Sequence, residues 1–251
     1  MLASHFWNKL NLHRAKIAFI FFLACLPLAA SAQNNREINL PTYDERWLHY
    51  GFRFGIHSTY YDLKYSDAFV TPPFDSLHSI LTQPKIGFSV GFIANFRLNN
   101  YWKLRILPGV NFSEYQVEYN YTNAPQFPPQ ETLQEVVEST MVEFQILLKY
   151  KSLRRKNSAV YFVAGITPSI EANGRKDRDN EIRLLTKNTN LTAEFGLGVD
   201  IYNEWYKFSP EIRFSRGLTN MLKDERNEFS AGIESLHTNM ISVYLLFEGG
   251  K

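Results

Sequence analysis

The chain has 251 residues, 45% hydrophobic and 15% aromatic, with a formal net charge of +2. That length allows one large domain or two small ones. A charge so small, with no Lys/Arg-rich run, excludes a nucleic-acid binder held by electrostatics.

Lys9, Arg14 and Lys16 precede the apolar run Ile17 to Ala30, and Ala30-Ser31-Ala32 follows as an A-x-A cleavage pattern. The run falls short of the roughly 20 residues that span a bilayer, so residues 1–32 read as a secretory signal peptide. Lipoprotein cleavage at Cys25 is the alternative, although Phe22 fits a lipobox poorly. Cleavage after Ala32 removes the only cysteine, leaving no disulfide and no thiol chemistry. No later apolar run suffices for a transmembrane helix. Residues 33–46 form a periplasmic N-terminal segment, and residues 47–248 hold the period-2 pattern.

That pattern comes in eight segments. The first alternates Leu48, Tyr50, Phe52, Phe54 and Ile56 with His49, Gly51, Arg53, Gly55 and His57. The second, "KIGFSVGFIANFRL" (Lys85 to Leu98), sets Ile86, Phe88, Val90, Phe92, Ala94, Phe96 and Leu98 against Gly87, Ser89, Gly91, Ile93 and Asn95. The third runs from Trp102 to Phe112, the fourth from Glu143 to Tyr150, and the fifth from Val160 to Glu171. The sixth runs from Leu191 to Tyr202, the seventh from Tyr206 to Ser215, and the eighth from Ser242 to Glu248. Fourteen residues at about 3.3 Å span roughly 46 Å, enough for a tilted strand to cross an apolar band of about 25 Å.

Connections after the even segments are short: Asn99 to Tyr101, Ser152 to Ser158, and Asn203-Glu204. Those after the odd segments are long: Lys64 to Pro84, Thr122 to Glu135, Asn173 to Asn188, and Gly217 to Leu236. Short periplasmic turns, long extracellular loops and an even strand count predict an eight-stranded antiparallel outer-membrane β-barrel with both termini in the periplasm. Trp47, Trp102, Trp205 and Tyr206 at the starts of odd segments, with Tyr150 and Tyr202 at the ends of even ones, predict an aromatic girdle near the periplasmic rim. Pro108, Pro168 and Pro210 predict bulges or kinks. The change of apolar phase to Tyr115, Val117, Tyr119 and Tyr121 predicts a bulge near Ser113.

The inward phase carries Arg53, Lys85, Arg97, Lys103, Arg105, Lys149, Lys207 and Arg213. Against them stand Glu143, Glu171, Glu194, Asp200, Glu211 and Glu248. A lipid-facing Arg or Lys at the midplane costs about 2–4 kcal/mol, and an eight-stranded barrel is just wide enough for side chains to fill. A paired charge network plugging the lumen is therefore expected, not a pore. Glu143 with Glu194, and His57 with Ser58, are the only candidates for acid–base or nucleophilic chemistry. Adjacent strand residues point to opposite faces, which disfavours the second pair. No metal-ligand spacing and no phosphate loop is present; no cofactor, metal or small-molecule substrate is expected, and the protein is not read as an enzyme.

"LPTYDERWLHYGFRFGIH" (Leu40 to His57), "ESTMVEFQILLKYKS" (Glu138 to Ser152) and "FSPEIRFSRGLTNML" (Phe208 to Leu222) resemble the PorT family, called SprT in gliding bacteria. The likeness runs from about Leu40 to Phe247. The tail Glu248 to Lys251 departs from it, since many barrels end on the aromatic. The resemblance implies an accessory component of the type IX secretion system, which exports cargo carrying C-terminal sorting domains and in some species supports gliding. It implies no catalytic residues. Expected partners are outer-membrane lipid and other type IX components. Partner contacts would fall on the long loops, at residues such as Tyr60, Tyr61, Phe74, Phe127 and Arg178, and on residues 33–45. A passive or adhesive envelope barrel, and a lipid-modifying outer-membrane enzyme, are the alternatives.

Overall fold

A computed structural model describes residues 37–70, 77–121, 132–172, 184, 186–223, 230 and 232–250. The signal peptide with its two candidate cleavage sites, and the loop residues Phe74, Phe127 and Arg178, lie outside them.

Among the described residues nine strands form one antiparallel sheet: β1 (Leu48–Tyr65), β2 (Leu77–Gln83), β3 (Lys85–Arg97), β4 (Trp102–Tyr121), β5 (Thr132–Lys151), β6 (Ser158–Glu171), β7 (Thr189–Tyr202), β8 (Tyr206–Gly217) and β9 (Ile233–Gly249). Eight of them close a ring in the order β1-β3-β4-β5-β6-β7-β8-β9, with β9 returning to pair with β1. Closure leaves no free edge in the ring, the condition for strands to stand in lipid.

The stagger follows from one row of facing residues. Tyr50 faces Ala94, then Ile106, Ile146, Ile166, Ala193, Arg216, Asn239 and finally Tyr60. The row leaves β1 at residue 50 and rejoins it at residue 60, a shift of ten over eight strands. With strand spacing near 4.8 Å this sets a tilt of about 40°.

The period-2 segments are all strands of the ring, but four are longer than their apolar alternation suggests. β4 and β5 have 20 residues each and stay paired from Trp102 facing Tyr150 to Asn120 facing Thr132. At about 40° they rise roughly 50 Å, twice the apolar band of about 25 Å. β1 and β9 likewise continue past the band at the loop end.

Three expectations are corrected. The predicted first loop, Lys64 to Pro84, contains β2, which pairs with β4 alone. Pro84 separates it from β3 with a one-residue slip in register against β4, from Ile80 facing Tyr119 to Phe88 facing Phe112. Between β2 and the upper part of β1 the Tyr65 hydroxyl donates to Ile80 O at 2.7 Å in place of a ladder.

β4 itself carries no bulge near Ser113: its register against β5 is unbroken, and the extra residue of the slip opposite it lies on the Pro84 side. The change of phase has another cause: the lumen itself becomes apolar there. Tyr61, Leu77, Ile80, Val117, Tyr119, Leu184, Ile233 and Leu236 form a buried cluster inside the loop end.

The prolines shift no register either. Pro108, Pro168 and Pro210 keep their pairing towards β5, β7 and β9, while the pairing towards β3, β5 and β7 is interrupted beside each. A missing N–H breaks the ladder on one side only.

The outward phase is apolar and unshielded by protein; Phe92, for example, is 72% exposed. No described helix is long and apolar enough to cross a membrane, which says nothing of strands.

Candidate functional site

Alternation delivers the inward side chains to one place. Among the described residues Arg53, Lys103, Arg105, Lys149, Lys151, Lys207 and Arg213 are buried with Glu143, Glu171, Glu194, Asp200, Glu211 and Glu248. Burying a charge is tolerable only where partners replace its water, and the geometry supplies them.

Asp200 (β7) accepts from Lys149 at 2.6 and 2.7 Å and from Ser209 at 2.7 Å. Arg105 (β4) donates to Glu211 at 2.8 Å and reaches Glu248 at 3.5 Å. Glu248 (β9) also accepts from Asn95 at 2.9 Å and lies 2.9 Å from Lys207 Nζ. Arg213 (β8) bridges Glu211, Glu194 and Gln145. Nearer the loop end Glu143 accepts from Arg53, Asn111 and Gln145. The Tyr244 ring lies under both Arg53 and Arg213, and the Tyr161 ring under Lys149 and Arg105.

Ile93, Leu107, Leu147, Tyr244 and Leu246 form an apolar patch beside the ions. A small pocket of about 30 Å³, lined partly by Asn111, Glu143, Asn190 and Ser215, lies at the loop-side edge of the ions. It has room for a water molecule.

The turn end is closed by residues outside the strands. A short 3-10 turn, Tyr43–Glu45, inserts into the mouth. Tyr43 is 1% exposed; its hydroxyl donates to Glu248 at 3.1 Å and its ring stacks on His49 at 3.9 Å. Asp44 lies 3.0 Å from Lys103 Nζ and 2.6 Å from Lys151 Nζ, and accepts from Tyr202. Burial pushes the Asp44 carboxyl up, but Lys103 and Lys151 more than offset it and hold it well below the usual carboxylate range. Burial, with Glu248 beside it, pushes the Tyr43 phenol far up.

Of the residues the sequence assigned to the lumen, Arg53, Lys103, Arg105, Glu143, Lys149, Glu194, Asp200, Glu211 and Arg213 meet in these pairs. Arg97 does not. It lies at the mouth of a turn and donates to Glu45 O and Asn100 Oδ1. Lys85 is half-buried and makes no ion pair with a described residue. Glu171 is buried at the loop-side end of β6.

Trp47 (69% exposed), Trp102, Tyr150, Trp205 and Tyr206 lie on the outer surface at the turn end, with Trp102 and Tyr150 in ring contact at 4.9 Å. Tyr202 is a correction. It is 1% exposed and faces the mouth, because it shares the parity of Asp200.

His57 points to Ser113 Oγ at 3.1 Å and not to Ser58, which faces the other way. Glu143 and Glu194 each belong to a separate arginine.

Sequence reasoning missed Lys151, Tyr43 and Asp44. Lys151 extends the parity of Glu143 and Lys149 and was therefore visible. Nothing periodic marks Tyr43 or Asp44.

The model of the outer membrane protein beta-barrel domain matches residues 31–223. The chain belongs to this family. Membership places it in the bacterial outer membrane, and the strand that completes its ring, β9, lies beyond the matched residues.

This outer-membrane barrel is similar in fold to Neisserial surface protein A (10% identity, 79% of this chain and 95% of that one, TM-score 0.42). It is also similar to OprG of Pseudomonas aeruginosa (14%, 80% and 92%, 0.39) and to Ail of Yersinia pestis (7%, 81% and 99%, 0.35). At these identities and scores no residue's role follows from them. No curated protein matches the sequence.

Proposed function

We propose that the protein is a closed, non-enzymatic outer-membrane barrel that serves type IX secretion as an accessory component. Its turn end faces the periplasm and its loops face outward. The observation that carries the closed-scaffold reading is the lumen. Among the described residues, seven buried cations and six buried carboxylates fill it, with an apolar cluster above them. A barrel so filled offers no aqueous path and leaves its outer surfaces as the working parts.

The secretion role rests on the resemblance of Leu40 to His57, Glu138 to Ser152 and Phe208 to Leu222 to the PorT/SprT family. "ESTMVEFQILLKY" forms the middle and lower part of β5, so the likeness covers both lumen ligands (Glu143, Lys149) and lipid-facing residues (Phe144, Ile146, Leu148).

Deleting the gene and following a cargo with a C-terminal sorting domain tests the role. Cargo stalled in the periplasm is the expected result. Unchanged export with an altered cell surface would replace this reading with that of a passive or adhesive barrel.

A further inference from the structure

The segment Asn39–Trp47 crosses the turn-end mouth. It joins β1 at Leu48 and reaches the β5–β6 turn, four strands away around the ring in either direction. There the Asn39 N–H donates to Asn157 Oδ1 at 2.9 Å, and Arg154 donates to Leu40 O at 3.0 Å and to Asn39 O. In the middle Tyr43 and Asp44 enter the mouth. They meet the only two buried mouth lysines, Lys103 and Lys151, that lie beyond 4 Å of every described strand-borne carboxylate.

Three features separate this segment from the wall. Tyr43–Glu45 joins no ladder; its backbone–backbone bonds are internal, from Tyr43 N to Leu40 O, Glu45 N to Thr42 O and Arg46 N to Tyr43 O, and its bonds to the wall are to side chains, His49 to Tyr43 O and Arg97 to Glu45 O. It can therefore leave without opening a strand pair. Leu40 has a φ of 48°, a left-handed conformation that persists in a bulky residue only where neighbours impose it; Arg154 is the neighbour. Finally, among the described residues Asp44 is the one carboxylate within 4 Å of either Lys103 or Lys151.

We propose that the turn-end mouth is a binding site for a tyrosine–aspartate turn, and that the chain's own Asn39–Arg46 segment fills it as a latch that docks and releases as one unit. Docked, it covers Lys103 and Lys151. Released, it opens a cationic vestibule able to take another turn of the same chemistry, while the Lys149–Asp200 layer beneath stays shut. The site does not depend on the secretion reading.

The test uses the full-length protein in lipid nanodiscs and an amine-acylating reagent, read lysine by lysine by mass spectrometry. In the wild-type protein Lys103 and Lys151 are expected to react far more slowly than the exposed Lys156. In the Tyr43→Ala/Asp44→Asn variant both should react roughly tenfold faster or more, the change expected from losing a hydrogen-bonded contact or two, while Lys149 stays protected. A synthetic peptide of residues 39–46 should restore protection to the variant. The same peptide carrying Tyr43→Phe and Asp44→Asn should not. Unchanged reactivity of Lys103 and Lys151, simultaneous exposure of Lys149, or failure of the native peptide to protect would each overturn the proposal.

Discussion

Lys149 and Asp200 face each other across the lumen from β5 and β7, the ammonium 2.6 and 2.7 Å from the two carboxylate oxygens. Neither is exposed to solvent. Asp200 has more to do than its partner, since it accepts from Ser209 and lies 4.0 Å from both Arg105 and Lys207. Breaking a buried pair by removing one side leaves the other charge uncompensated, at a cost of about 3–5 kcal/mol. Lys149→Met should lose about that much, and Asp200→Asn more, because it strands Lys149 and also takes a charge from beside Arg105 and Lys207, which keep Glu211 and Glu248. Urea unfolding in liposomes, followed by the heat-modifiable gel shift, measures both. A smaller loss for Asp200→Asn would remove Asp200 from the centre of the network.

A different constraint acts where two strands come close together. Gly165 of β6 faces Leu147 of β5. A methyl group on it would run into Ile146 O and sit 2.8 Å from Leu147 Cα, both backbone atoms that cannot swing away. At Gly249 the nearest atom to such a methyl is Tyr50 O at 3.9 Å. Gly165→Ala should therefore destabilise the barrel by about 1–3 kcal/mol, the range of overpacking. Gly249→Ala should leave the unfolding midpoint where it is.

The docked turn makes a prediction in pH. The folded Asp44 carboxyl is held below its ordinary value of 3.8 by Lys103 and Lys151, against the opposing effect of burial. A group whose folded value is depressed contributes its full stabilisation above the unfolded value and loses it as acid takes the pH down through that value and below. The Tyr43 ring resonances, followed by NMR in nanodiscs, should keep their docked positions at neutral pH and move to undocked ones below about pH 4. Asp44→Asn should abolish this pH-dependent transition. An acid transition of equal size in that variant would assign it to another group.

How much of this was legible in the sequence depends on contrast between the two faces. Where lipid lies outside and ions lie inside, alternation is plain, as in "KIGFSVGFIANFRL", and the ring of eight follows from it. At the loop end Tyr115, Val117 and Tyr119 point inward. The inner face is then no more polar than the outer one, and the change reads falsely as a bulge. β2 is hidden for a related reason: seven residues ending against Pro84 carry too short a pattern to stand out. Tyr202 was assigned to the girdle by residue type although its parity pointed inward. Asp44 left no periodic trace, because its place depends on a turn that folds back across the mouth and not on a strand.

The loop-end cluster gives the last prediction. Leu236 of β9 is fully buried against residues of the cluster that include Tyr61 and Tyr119. It lies beyond the outward apolar band, where Asp62 and Arg216 form an exposed ion pair on the outer surface. Truncating a buried leucine costs about 2–5 kcal/mol, depending on how far the site collapses. Here the loss should stay local, because the ladders towards the turn end continue through the ion network whether or not the cluster is intact. Hydrogen exchange on Leu236→Ala should show faster amides in Tyr61–Tyr65 and Ile233–Thr238, with Phe208–Phe214 unchanged. Uniform acceleration around the ring would mean that the loop-end cluster and the ion-filled lumen form a single cooperative unit. No acceleration at all would mean that the cluster contributes little to holding β1 and β9 together above the membrane.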